Sequence, residues 1–87
     1  SNLKEVFDGV LAFVDNGVFS AFDLKKERFL SVVSSSGQGI PSRGMLQRND
    51  SLVWVISGSE LHLMKRCASK EGELRLRVQE KYTGWNN

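Results

Sequence analysis

The segment Glu73 to Glu80, "ELRLRVQE", alternates apolar and polar side chains through Gln79. Because successive side chains of an extended chain point to opposite faces, Leu74, Leu76 and Val78 share one face of a strand. In a helix, Leu76 would point away from the face that Leu74 and Val78 share. The segment therefore predicts a half-buried β-strand, and a strand of this kind needs a sheet and a core to cover its apolar face.

A second strand is predicted at residues 51 to 57, "SLVWVIS". Leu52, Trp54 and Ile56 fall on one face, and Val53 and Val55 fall on the other. Since both faces are apolar, this segment is typical of a central strand that is covered on both sides.

The strands around it have clear boundaries. Pro41 lacks an amide proton and has a fixed φ, so it belongs at the start of a strand or at a sheet edge. Ser57-Gly58-Ser59 forms a tight turn into "ELHLMKR", and "CASKEG" then leads to the strand that begins at Glu73. Three consecutive strands with short turns predict an antiparallel meander. The N-terminal strands are expected to join this meander and complete a small barrel or sandwich around Trp54.

The N-terminal segment permits two interpretations. Its apolar residues from Leu3 to Val14 recur at helical spacing, but Gly9 would lie in mid-helix at a cost of about 1 kcal/mol. Alternatively, "VLAFVD" and "VFSAFD" are two strands joined by Asn16-Gly17, the dipeptide that a type I′ hairpin turn prefers. The hairpin is favoured, with one short helical turn before Gly9 left open.

The remaining segments suggest one domain. "FLSVV", Phe29 to Val33, predicts a short strand, and "SSSGQG" at residues 34–39 predicts a loop that is the one internal seam. With 87 residues, 40% of them hydrophobic, the chain can build one modest core. We therefore expect a single small, mainly β domain over residues 1–87, and we expect it to be a fragment of a longer protein.

Charge and reactive residues favour no enzyme class. The formal net charge of +2 is too small for a general nucleic-acid footprint, although residues 40–87 hold eight basic against five acidic residues. His62 lies on a predicted strand, and the single cysteine, Cys67, lies five residues later at the turn that follows it. Their side chains are predicted to point to opposite faces, too far apart for a catalytic pair. We expect no catalytic residue, no metal site and no cofactor, and no apolar run is long enough to span a bilayer.

From Ile40 to Val78 the sequence resembles the periplasmic adaptor proteins, or membrane fusion proteins, of bacterial tripartite efflux pumps. In that family a proline-led step leaves the β-barrel domain, followed by a short polar stretch, a Val-Trp-Val-Val strand and its hairpin partner. Here Ile40-Pro41-Ser42 with Met45-Leu46 is similar to the step, Asn49-Asp50 to the polar stretch, and Val53 to Ile56 to the strand. Leu61 to Lys65 is similar to the hairpin partner.

The resemblance covers roughly 40 of the 87 residues and has departures. Arg43-Gly44 replaces a small and apolar pair, and the Gly-Leu-x-x-Gly-Asp segment expected after the third strand does not occur. The resemblance implies a periplasmic, non-enzymatic domain that contacts an inner-membrane transporter or a like subunit, with homo-oligomers as a further option. Exposed arginines and aromatics commonly anchor interfaces, so Arg75, Arg77, Tyr82 and Trp85 are the predicted partner contacts.

Two alternatives remain open. One is a small oligonucleotide-binding-type barrel that uses Lys65, Arg66, Arg75 and Arg77 with an exposed aromatic residue. It is less favoured because acidic residues are interleaved with these cations, so that cross-strand pairing on a solvated face explains them equally. The other is one repeat of a larger β structure, suggested by residues 8–29. Without the adaptor resemblance, the expected location is the cytoplasm.

Overall fold

The computed structural model describes residues 3–84, which form strands joined by turns and loops, with no helix in this range. The strands are β1 Lys4–Val6, β2 Val10–Asp15, β3 Val18–Asp23, β4 Arg28–Ser34, β5 Gly44–Gln47, β6 Leu52–Ser57, β7 Glu60–Cys67 and β8 Glu73–Tyr82. The mainly β prediction is confirmed. The short N-terminal helix left open from the sequence is wrong, because Lys4–Val6 pairs with β2 as a strand.

All eight strands belong to one sheet in the order β1-β2-β3-β4-β8-β7-β6-β5. The sheet curves into a barrel that is nearly closed, so that the outer strands β1 and β5 approach each other. The predicted meander of β6, β7 and β8 is confirmed. Every neighbouring pair is antiparallel except β4 and β8, which run parallel from Ser31↔Glu73 to Ser34↔Leu76.

The hairpin of β2 and β3 turns at Asn16-Gly17. Both residues have positive φ, 54° and 78°, as a type I′ turn requires. Asp15 pairs with Val18 directly beside the turn, and the register continues to Val10↔Asp23. The sequence prediction of a hairpin here is therefore confirmed.

The core lies inside the barrel and takes one face of every strand. Its residues include Val10 and Ala12 from β2, Val53 and Val55 from β6, and the alternating leucines of β8. Leu74 and Leu76 have no exposed surface, as the alternation of β8 predicts. Trp54 is not part of this core, so the predicted barrel around Trp54 is instead a barrel around its neighbours.

Val78, predicted to face inward, is 44% exposed. The reason is the length of β4, which ends at Ser34 opposite Leu76. Val78 lies beyond that end, where no strand flanks β8 on the β4 side. A bulge in the β7–β8 pairing at Leu63/Met64 also interrupts the regular alternation here.

Two connections close the ends of the barrel. Pro41 forms an isolated bridge with Val18 just before β5, consistent with its predicted place at a strand start or edge. At the β1–β2 turn, Phe7, Asp8 and Gly9 all have positive φ. This unusual backbone directs the Phe7 side chain into the core, where only 2% of it is exposed.

In the range 3–84, no helix meets the length and hydropathy needed to cross a membrane.

Candidate interaction surface

The outer face of β5, β6, β7 and β8 carries a second apolar cluster, separate from the core. Leu63 is only 1% exposed, yet it does not belong to the core cluster inside the barrel. It pairs with Trp54, whose neighbours Val53 and Val55 both point inward. Leu63 is therefore buried on the outside of the sheet by other outward-facing side chains.

The pairing register identifies these neighbours. Trp54 stands between Leu46 and Leu63 in one row across the sheet, and Ile56 stands between Gly44 and Leu61 in the next. Tyr82 extends the second row because it pairs with Leu61. We call this set the outer apolar layer; its members are Leu46, Trp54, Ile56, Leu61, Leu63 and Tyr82.

Trp54 lies at the centre of the outer apolar layer. Its ring centroid is 6.1 Å from that of Tyr82, with the planes tilted by 53°. The Arg48 guanidinium lies over the Trp54 ring at 5.8 Å, a cation–π distance. The Tyr82 hydroxyl donates a 2.6 Å hydrogen bond to Glu80 Oε1, and this bond raises the pKa of Tyr82 above its ordinary value. The aromatic pair is therefore contacted by Arg48 at Trp54 and by Glu80 at Tyr82.

An apolar groove of about 480 Å³ opens beside Trp54, next to the seam between β1 and β5. Its lining comprises Lys4, Gly44, Met45, Leu46, Trp54, Ile56 and Leu61. Around it, Leu46 is 57% exposed and Tyr82 is 46% exposed. Gly44 contributes to the depth of the groove because it has no side chain.

Cations border the outer apolar layer. Lys65 pairs with Leu52 on one side and with Arg77 on the other, so both cations lie in the row next to Trp54. Arg48 follows the end of β5, and Lys4 contributes to the groove. Within residues 3–84, none of these four cations forms an ion pair. Among the described residues, the border therefore carries four unpaired positive charges, and the carboxylate of Glu80, a residue that pairs in register with Leu63, is engaged by the Tyr82 hydroxyl.

The four predicted contact residues have different situations. Tyr82 and Arg77 lie on this outer face. The Arg75 guanidinium is instead held within the protein, because it donates to the carbonyl oxygens of Ser34 and Ser35 and to the Glu73 carboxylate. Trp85 lies outside the described residues.

The basic set proposed for an oligonucleotide is divided between two places. Lys65 and Arg77 lie on the outer face, whereas the Arg66 guanidinium lies 5.5 Å from the Phe7 ring, at the end of the barrel. The four cations therefore do not line one continuous strand face.

His62 and Cys67 take part in separate local contacts. His62 Nε2 lies 2.8 Å from Glu60 Oε1, and this hydrogen bond is the main cause of the lowered pKa of Glu60. Cys67 Sγ contacts the carbonyl oxygen of Lys65 at 3.5 Å. In the part of the chain that the structure describes, no three His, Cys, Asp or Glu side chains are grouped to hold a metal.

An exposed aromatic cluster on the outside of β2, β3 and β4 was not predicted from the sequence; its members are Phe13, Phe22 and Phe29. The Phe29 ring makes edge-to-face contacts with Phe22 at 5.0 Å and with Phe13 at 6.3 Å. Phe29 is 71% exposed. Unlike the outer apolar layer, this cluster contains no fully buried side chain.

Around Trp54, the outer face also carries Leu46, Arg48 and Leu63, which were not predicted as site residues. The alternation of β7 does place Leu61 and Leu63 on one face, which was a usable signal.

Comparison with known proteins finds no match for this chain among protein-family models, curated proteins or solved structures.

Proposed function

We propose that this domain is a non-catalytic protein-interaction module that binds a partner polypeptide through the outer apolar layer. The bound segment presents an apolar or aromatic side chain flanked by Asp or Glu. The observation that carries the proposal is the burial of Leu63 outside the core, within an apolar layer whose edges at Leu46 and Tyr82 remain exposed. Contiguous exposed apolar surface next to a groove is typical of a site that binds another molecule.

The charge of the border supports an acidic partner segment. Arg48, Lys65 and Arg77 form no ion pair within the described residues, so their charges are available to carboxylates of a partner. Charges at the rim of an interface mainly set the specificity and the association rate, while the apolar centre supplies the affinity. An apolar side chain with flanking carboxylates matches both features.

A polypeptide fits this surface better than an oligonucleotide. Base stacking needs an accessible aromatic face, and Arg48 already lies over the Trp54 ring. Arg75 is engaged with backbone carbonyl groups, and Arg66 lies at the end of the barrel. A phosphate backbone would therefore meet few of the cations that the oligonucleotide hypothesis requires.

A narrower form of the proposal is that the partner is the transporter of an efflux pump. It rests on the resemblance to adaptor proteins. The antiparallel hairpin of β6 and β7 agrees with that resemblance, since Val53 to Ile56 pairs with Leu61 to Met64. The narrower form adds a periplasmic location, whereas the general form depends only on the outer apolar layer and its basic border.

The test is a selection of random peptides on the immobilised domain, compared with two surface variants. Leu46→Ser removes an exposed apolar side chain from the outer apolar layer, and Phe29→Ser makes the same kind of change at an exposed residue of the other cluster. We expect selected peptides to share an apolar residue beside Asp or Glu, to bind Phe29→Ser normally and to bind Leu46→Ser more weakly. Equal binding to both variants would overturn the proposal, as would a preference for single-stranded oligonucleotides in a parallel titration.

A further inference from the structure

A polar basin of about 280 Å³ lies away from the outer apolar layer, where the β3–β4 turn meets the loop between β7 and β8. Its charged lining consists of four basic and three acidic side chains: Lys26, Arg28, Arg66, Lys70, Asp23, Glu71 and Glu73. The basin is concave and open to solvent. Nothing in the proposed interaction surface accounts for it.

Two of the three carboxylates are occupied by groups other than the basin cations. Asp23 Oδ1 accepts hydrogen bonds from the backbone amides of Lys25 and Lys26, at 2.9 and 3.1 Å. The Glu73 carboxylate accepts two hydrogen bonds from the Arg75 guanidinium, at 3.1 and 3.2 Å. Both also attract basin cations through space, Asp23 acting on Lys26 and Arg28 and Glu73 on Lys70. Glu71 is the carboxylate that forms direct ion pairs with basin cations in the described residues.

Glu71 bridges two of the cations through a single oxygen. Its Oε2 lies 2.9 Å from Lys26 Nζ and also accepts a hydrogen bond from the Arg28 guanidinium. The side chain of Glu71 is nevertheless 71% exposed, so it can leave the cations by rotating into solvent. Arg66 and Lys70 form no ion pair within residues 3–84.

We propose that the basin is a binding site for a phosphate dianion, either free or as a monoester, and that Glu71 occupies the Lys26–Arg28 pair until the anion displaces it. A phosphate group brings two charges and several oxygen acceptors, and once it displaces Glu71 it meets four basic side chains against the two remaining carboxylates, those of Asp23 and Glu73. Arginine contributes a planar pair of donors suited to phosphate oxygens, and lysine contributes a compact charge. The volume of the basin admits a group of this size.

The competition between Glu71 and the anion gives a specific test. Inorganic phosphate is titrated into the isotopically labelled domain at low ionic strength, and backbone amide shifts are followed by NMR. Glu71→Gln removes the competing carboxylate. The matched control, Glu27→Gln, also removes one negative charge. Glu27 belongs to the β3–β4 turn beside the basin but does not line it. A phosphoserine peptide, titrated in parallel, distinguishes a bound monoester from the free anion.

We expect shifts at Lys26, Arg28 and Gly72, and tighter binding by roughly two- to tenfold in Glu71→Gln, as expected for removal of one or two exposed ion pairs. Glu27→Gln should change the affinity by less than about twofold. Tighter binding of the phosphoserine peptide would identify the ligand as a phosphorylated side chain, and equal binding would identify the free anion. The proposal is overturned if both variants bind equally, or if no saturable shift occurs in the basin.

Discussion

Tyr82 packs against Trp54 on the outside of the barrel, with their ring centroids 6.1 Å apart. The contact joins the end of β8 to the middle of β6 across β7. Leu63 of β7 pairs directly with Trp54 and is almost completely buried. The sheet is therefore covered by apolar side chains on both faces in this region, although only the inner face belongs to the core.

Substitution of Leu63 tests this second layer. Leu63→Ala should lower the free energy of unfolding by about 2 to 5 kcal/mol, the range for leucines buried in protein cores. Leu61→Ala, at a partly exposed position on the same face, should cost clearly less. Urea denaturation of both variants gives the comparison. Equal small losses would mean that Leu63 is accessible in solution and that the outer layer is not packed.

Arg75 and Arg77 should behave differently despite their similar sequence context. Arg75→Ala removes the hydrogen bonds to the Ser34 and Ser35 carbonyl oxygens and to Glu73, so we expect a loss of about 1 to 3 kcal/mol in stability. Arg77→Ala should change stability by less than about 0.5 kcal/mol, as is usual at the surface.

Thermal unfolding of the two arginine variants measures this difference, and peptide binding measures the complementary one. Arg77→Ala should weaken binding of an acidic peptide, while its stability remains unchanged. If Arg77→Ala proved as destabilising as Arg75→Ala, the assignment of Arg77 to partner contact would fail.

The stability contributed by Glu71 should depend on pH. Hydrogen bonds from Lys26 and Arg28 hold the pKa of Glu71 below its ordinary value of 4.5. A carboxyl group with a pKa lowered by folding stabilises the folded state when ionised, so its contribution is present above pH 4.5 and is lost as the pH falls through the lowered pKa.

Glu71→Gln should therefore reduce the urea midpoint most near neutral pH, and the difference from the unsubstituted protein should disappear in strong acid. Added salt should also reduce the difference, because these charges are exposed. A difference that stayed constant over the whole pH range would contradict the ion-pair explanation.

Backbone conformation gives a prediction that depends little on side-chain contacts. Gly58 has a φ of +62° and no heavy atom within 4 Å of an added Cβ, so Gly58→Ala should cost about 1 kcal/mol through backbone strain alone.

Glu27 has a φ of +55° without being glycine. Glu27→Gly should raise stability by up to about 1 kcal/mol. Chemical denaturation checks both, and a loss of stability in Glu27→Gly would show that its side chain makes contacts that outweigh the strain.

The strands were predictable where a local pattern determines them. Asn16-Gly17 specified a hairpin, and the alternation through Leu74 and Leu76 specified a strand and its buried face. The parallel pairing of β4 with β8 was not predictable in this way, because it joins distant segments and has no turn sequence of its own. The exposure of Val78 follows from that pairing, since β4 ends beside Leu76.

The candidate surface was only partly predictable for a related reason. Alternation separates the two faces of a strand, but it does not say which face turns inward when both are apolar. At β6 the two valines fill the barrel and Trp54 faces outward. Tyr82 and Arg77 were found from residue type alone, whereas Leu46 and Arg48 required the register of β5 against β6.

Binding at the outer apolar layer can be tested by mapping the contacts that a selected acidic-apolar peptide makes. The labelled domain is titrated with this peptide, and amide and side-chain NMR shifts are assigned to residues. We expect the largest changes at the Trp54 indole, Leu46, Leu61 and Tyr82, with the Phe29 cluster unaffected. Changes centred on Phe29, or confined to the basin around Glu71, would contradict the assignment of the outer apolar layer as the binding surface.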